Sequence, residues 1–226
     1  MRKVNLFFCT VTVLGGLGMG CASSSDVQRK ATEQKRTWLL EADTSAVKVQ
    51  PARFAEIKVR TFRSLPPFNA SSIVVKRANG EAVLDFYNAW VAPPHELIRV
   101  QAVRYLEQEG LFEAVYDATS GTLAPLGLEG TVCELFLDCR GEKPAAVVTL
   151  RLVVLSELLP EFAVLCVAEK TGRAEYDVEE GIARAFNAAL TQALDAAVRE
   201  LREHELGVGY QMPRSLLPFP RPPLLG

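Results

Sequence analysis

Two long β runs stand close together in the chain, LEGTVCELFLDC (residues 128–139) and AAVVTLRLVVLSE (residues 145–157), joined only by RGEKP. So short a connection makes them antiparallel neighbours, because parallel pairing needs a crossover of about a dozen residues or more. In the second run Ala146, Val148, Leu150, Leu152 and Val154 share one face and are all apolar, the period-two pattern of a strand with that face against a core. A sheet presenting such a face must be covered. The cover is legible further on, where Ile182, Phe186, Leu190, Leu194, Ala197, Val198 and Leu201 recur at spacings of three and four, one stripe of an amphipathic helix. Asp177 and Glu180 have the spacing of a capping box. The helix is therefore expected to run from there to about His204, a length of about 40 Å, with Gly207 as its stop.

Upstream, RFAEIKVRTF (residues 53–62) reads as a strand, followed by the Pro-rich turn SLPPFNAS. SSIVVKR and AVLDFYNAW flank Asn79-Gly80, a strong hairpin signal. HELIRVQAVRYLEQEG sets Leu97, Ile98, Ala102, Tyr105 and Leu106 against Arg99, Arg104, Glu107 and Gln108. With Pro94 in the first turn and Gly110 after the last, this is a second amphipathic helix. LFEAVYD and EFAVLCVAEKTG add strands. The order is roughly β-β-β-α-β-β-β-β-α, an α+β fold with a mostly antiparallel sheet and two helices packed on one face.

The N-terminus sets where folding can begin. Arg2 and Lys3 precede an apolar run over residues 4–20 that is diluted by Asn5, Thr10, Thr12 and four glycines. A membrane-spanning helix needs about 20 predominantly apolar residues, and this order of charge, apolar core and small residues is that of a secretory signal peptide over residues 1–20. The junction Leu17-Gly18-Met19-Gly20-Cys21 resembles the lipobox of bacterial lipoproteins, in which cleavage precedes a cysteine that carries acyl chains. It departs from that pattern in having Gly18 where leucine is preferred. The other readings of the junction are an ordinary signal peptide cut near Ala22 or Ser24, and a retained anchor helix. Residues 21–37 hold one large apolar side chain, Val27, before Trp38, a composition suited to a flexible tether. A single domain is expected over residues 38–206, followed by a Pro-rich tail at residues 207–226.

A formal charge of −2 gives no basic field for nucleic acid. Cys133 and Cys139, six apart in one strand, would share a face about 20 Å apart and could not bridge each other. Cys166 could pair with either, or all three could be buried apolar thiols. His95 and His204 fall in different elements, so no metal site is expected. GxSxG, HExxH and P-loop patterns are absent, and Asp177, Glu179 and Glu180 suit a helix start. No cofactor and no catalytic residue is assigned.

VRTFRSLPPFNASSIVVKR, LDFYNAWVAPPHELI, YLEQEGLFEAV, LEGTVCELFLD and GIARAFNAALTQAL together resemble the auxiliary lipoproteins of ABC-type lipid transporters, the partners of MCE-domain proteins in Mla, Pqi and Yeb systems. The resemblance implies a non-catalytic protein on the periplasmic side of the envelope, held by lipid on Cys21, with Ala22 in keeping with outer-membrane sorting. It implies work beside an MCE-domain protein, a permease and an ATPase in phospholipid movement between the two membranes, with a homo-oligomer among the arrangements open to it. A lipoprotein regulating another machine, a peptidoglycan synthase or a Tol-type scaffold, is the alternative. Pro67, Phe68, Tyr87, Trp90, Pro93 and Pro94 are the candidate partner-binding residues, as aromatic anchors in loops at strand ends. The other reading of Tyr87 and Trp90 is core packing that seats the first helix.

Overall fold

A computed structural model describes residues 35–47, 51–158, 164–177 and 181–204. The signal peptide, Cys21, Glu179, Glu180 and the Pro-rich tail lie outside the described residues. Strands β1 (Arg36–Trp38), β2 (Ile57–Val59), β3 (Arg63–Ser64), β4 (Ser72–Arg77) and β5 (Ala82–Trp90) precede helix α1 (Pro94–Glu109). Strands β6 (Val115–Tyr116), β7 (Leu126–Cys139), β8 (Ala145–Ser156) and β9 (Val164–Glu175) then lead into helix α2 (Ile182–Glu203). This is the expected α+β architecture, with two further short strands in the first half.

All nine strands form one sheet. The three long strands β7, β8 and β9 are antiparallel neighbours in that order. On its other side β7 is met in succession by β2, β3 and β4, all parallel to it. The strand expected over residues 53–62 is therefore interrupted. Ile57–Val59 pairs with Leu126 to Leu128, and pairing resumes only at Arg63 opposite Thr131. The buried Phe62 ring accounts for the break, because it occupies the space over Gly130, where a Cβ would lie 2.4 Å from the ring. Strand β6 flanks β2, β5 flanks β4 in the expected hairpin, and β1 adds in parallel to β5. Among the described residues pairing thus begins at Arg36, inside the stretch expected to be tether.

Both helices cover one face. Leu128, Val132, Leu135 and Leu137 from β7, Ala146, Val148, Leu150, Leu152 and Val154 from β8, and Cys166 and Ala168 from β9 are buried there. Helix α2 packs on β8 and β9 and buries the whole predicted stripe from Ile182 to Leu201. It starts at Ile182 with no side-chain cap, later than the capping-box reading placed it, and Asp177 instead accepts the Gly181 N–H on its backbone carbonyl at 3.0 Å. Its 22 residues span about 33 Å. Helix α1 buries Pro94, Ile98, Ala102, Tyr105 and Leu106 and stops at Gly110, whose N–H donates to the Leu106 carbonyl. Arg202 of α2 reaches Glu109 of α1 at 2.7 Å, both side chains largely buried.

A strap leading from β1 ties the two helices together. The backbone N–H groups of Glu41 and Asp43 donate to Asn187 and Thr191 of α2, and that of Ala42 donates to Gln101 of α1. Leu40, just before them, is buried. Among the described residues no helix is long and apolar enough to cross a membrane.

Candidate functional site

The six residues singled out in the sequence do not gather in one place. Trp90 is 3% exposed and meets the Phe186 ring edge-on at 5.0 Å, so it seats α2 on the sheet. Pro94 is buried at the start of α1, while Pro93 before it and Pro67 are exposed. Tyr87 is half-exposed on β5 beside Phe86. Phe68 is buried on the opposite side of the sheet, stacked on Phe136 with ring centroids 6.2 Å apart.

Phe68 marks a cluster built on the face that the helices leave uncovered. A bulge at Cys133 in β7 creates it. Without that extra residue Glu134, Phe136 and Asp138 would continue the series Leu128, Gly130, Val132 and point into the core. The pairing shifts between Val132 and Glu134, so Leu135 and Leu137 enter the core and Glu134, Phe136 and Asp138 turn outward, as a bulge requires. Strand register then aligns the neighbours: Glu134 opposite Thr149, Phe136 opposite Val147, Thr149 opposite Thr171 and Val147 opposite Arg173. On the β4 side Val74 pairs with Phe136 and Lys76 with Asp138.

The bulge also revises the reading of the cysteines. Cys133 turns away from the helices, near Arg151 and Glu169, while Cys139 packs against the core. The two do not share a face. All three thiols, Cys166 included, are free, and burial pushes each of them up from its ordinary pKa.

Within the cluster Lys76 Nζ lies 3.5 Å from the Phe136 ring centroid and 3.4 Å from Glu134. The Thr149 hydroxyl donates to Glu134 at 3.0 Å and lies 2.9 Å from that of Thr171. Asp138 is the centre of charge. Its side chain is 6% exposed, and it accepts from Arg140 Nε at 2.8 Å and Nη2 at 3.1 Å and from Arg173 Nη1 at 2.8 Å. The Arg140 hydrogen bonds foremost, with Arg173, hold this carboxyl well below the usual carboxylate range. Each guanidinium has five N–H donors, more than one carboxylate can accept, and both arginines are about half-exposed. The arrangement sets two half-exposed guanidiniums around one buried carboxylate, beside a stacked aromatic pair. Of this cluster the sequence reading had picked out only Phe68. The signal available is the period-two series Glu134, Phe136, Asp138 in CELFLD, with Arg173 two strands away.

Asp138→Asn should lower the urea midpoint at neutral pH, because two guanidiniums then lose their shared anion. The folded-state pKa lies below the unfolded value of about 3.9, so the ionised carboxylate stabilises fully above about pH 5 and its contribution fades as pH falls through the unfolded value toward the folded one. The gap between wild type and Asp138→Asn should be widest at pH 7 and measurably smaller at pH 3, shrinking further as the pH falls toward the folded value. An equal gap at both would assign the effect to packing.

No family model matches the sequence, and no curated protein matches it. Solved structures do share the fold. A Xanthomonas campestris protein of the family DUF330 superposes with a TM-score of 0.55 at 22% identity, covering 68% of this chain and 90% of its own. An uncharacterized protein superposes with a TM-score of 0.52 at 13% identity, covering 75% of this chain and 98% of its own.

Proposed function

We propose, from the fold shared with the Xanthomonas protein and from the N-terminal sequence, that this is a lipid-anchored envelope protein with no catalytic role. It serves as the auxiliary subunit of an MCE-associated ABC system that moves phospholipid between two membranes. The observation that carries the reading is a succession along the chain: a signal-like segment, the lipobox-like Gly20-Cys21, a polar stretch, and strand pairing from Arg36 onward. The 13 residues between Cys21 and Lys35, read as a polar coil, would reach about 20 Å, enough to keep the domain near one leaflet and to raise its effective concentration for a membrane-bound partner. One acyl chain gives only marginal binding and stable anchoring takes two or more, a condition that a fully acylated Cys21 meets by itself.

The anchor is tested by Cys21→Ser expressed in a diderm host and fed labelled palmitate. Wild type should carry label and run at the mature size, and Cys21→Ser should carry none and retain its signal segment. An unlabelled wild type, or a Cys21→Ser chain of mature size that still sediments wholly with membranes, would overturn the lipid anchor.

A further inference from the structure

Strand β5 contains a second irregularity, and it displays the most exposed aromatic ring of the described residues. Along β4 the pairing advances from Val74 to Ser72, while along β5 it advances from Leu84 to Ala89. Three extra residues of β5 are thus looped out, within Asp85-Phe86-Tyr87-Asn88. The loop is held from inside. Asp85 Oδ1 accepts the N–H groups of Tyr87 and Asn88 at 2.8 and 3.0 Å, and Asp85 Oδ2 accepts the Asn88 side-chain amide at 2.9 Å. Asn88 Oδ1 in turn accepts the indole N–H of Trp38 at 2.9 Å. This relay fixes the backbone so that the rings of Phe86 and Tyr87, neighbours that a regular strand would point to opposite faces, meet edge-on at 5.2 Å. Phe86 is 79% exposed. Leu84 lies on the same strand, and Val91 lies where its N–H donates to the Trp38 carbonyl, next to Leu39; all three are exposed as well.

We infer that this bulge is a membrane-interface foot: Phe86, supported by Tyr87 and Leu84, enters the headgroup region of a phospholipid bilayer. The inference rests on the anchor at Cys21 proposed above. The position of the bulge in the fold chooses this occupant. Arg36, the first paired residue among those described, lies in register with Asn88, so the described chain on the Cys21 side enters the domain one residue from Tyr87. That segment carries Arg29, Lys30, Lys35 and Arg36 against Asp26 and Glu33, a net positive charge that complements an anionic leaflet. Aromatic side chains are favoured at the membrane–water interface, and an apolar group docked there sits about 5–10 Å into the headgroup and acyl boundary.

The test uses the acylated full-length protein reconstituted in vesicles of phosphatidylethanolamine and phosphatidylglycerol whose acyl chains carry bromine. Phe86→Trp is compared with Leu123→Trp, at another exposed position, and each spectrum is read against wild type, which contributes Trp38 and Trp90. The expected result is a blue-shifted, bromine-quenched emission from position 86 and an unshifted, unquenched emission from position 123. Protein that floats with the vesicles but shows no quenching at position 86 overturns the foot and leaves the anchor standing. A blue shift without quenching overturns it too, in favour of a second copy or another protein on the bulge. Protein that fails to float overturns the anchor and the foot together.

Discussion

Gly172→Ala is expected to unfold the domain or to cost more stability than any other single added methyl group. Gly172 lies on β9 under α2, where a Cβ would stand 1.8 Å from the Ala189 carbonyl oxygen and 2.9 Å from the Ala193 nitrogen. Both are backbone atoms inside a helix, so neither can swing aside as a side-chain tip would. To admit the methyl group α2 must lift from β8 and β9, giving up burial of Phe186, Ala189, Leu190 and Ala193 along its length. Overpacked substitutions commonly cost about 1–3 kcal/mol where side chains can adjust, and a backbone clash should exceed that range. Against a total stability of about 5–15 kcal/mol, the loss should be plain in a urea titration followed by circular dichroism. Gly121→Ala, with nothing within 4 Å of its added Cβ, is the control and should stay within about 0.5 kcal/mol of wild type. Equal midpoints for the two variants would refute the close packing of α2 on β9.

Trp90→Ala should be among the most damaging of the side-chain truncations. The indole fills the space between β5 and Phe186 of α2 at 3% exposure, and removal of a buried aromatic leaves a cavity that costs about 3–5 kcal/mol. Phe86→Ala, four residues earlier on the same strand, should leave the urea midpoint nearly unchanged. The pair separates the two roles open to the aromatic block of β5: Trp90 holds the fold and Phe86 faces outward. A Trp90→Ala chain with native stability would return Trp90 to the set of surface anchors.

Much of the architecture was legible because local patterns and tertiary demands agree. The β7–β8 hairpin, the Asn79-Gly80 turn, α1 between Pro94 and Gly110, and the buried stripe of α2 follow from period, turn chemistry and stop residues. Misreadings arose where the backbone departs from regular period. At Cys133 one inserted residue exchanges the two faces of β7, so a pattern counted straight through puts Asp138 and Phe136 in the core. At Phe62 a ring seated over a glycine interrupts a strand, and the period of the sequence carries no mark of it. The candidate site was legible only at Phe68 because its other members, Lys76, Glu134, Asp138, Arg140 and Arg173, come from three strands and the β7–β8 turn and meet through register alone. The strap over residues 39–43 is a set of backbone donors to helix side chains, an arrangement with no period to detect.

The central claim, a non-catalytic anchored subunit of a lipid-transport machine, is tested most directly by what accompanies the protein out of the membrane. Full-length protein bearing an affinity tag, extracted from envelopes in mild detergent, should bring with it an MCE-domain protein together with a permease and an ATPase, and Cys21→Ser should bring them in much reduced yield. Recovery of a peptidoglycan synthase or Tol components in their place, with the MCE-domain protein absent, would contradict the transport role while leaving the fold and the anchor intact.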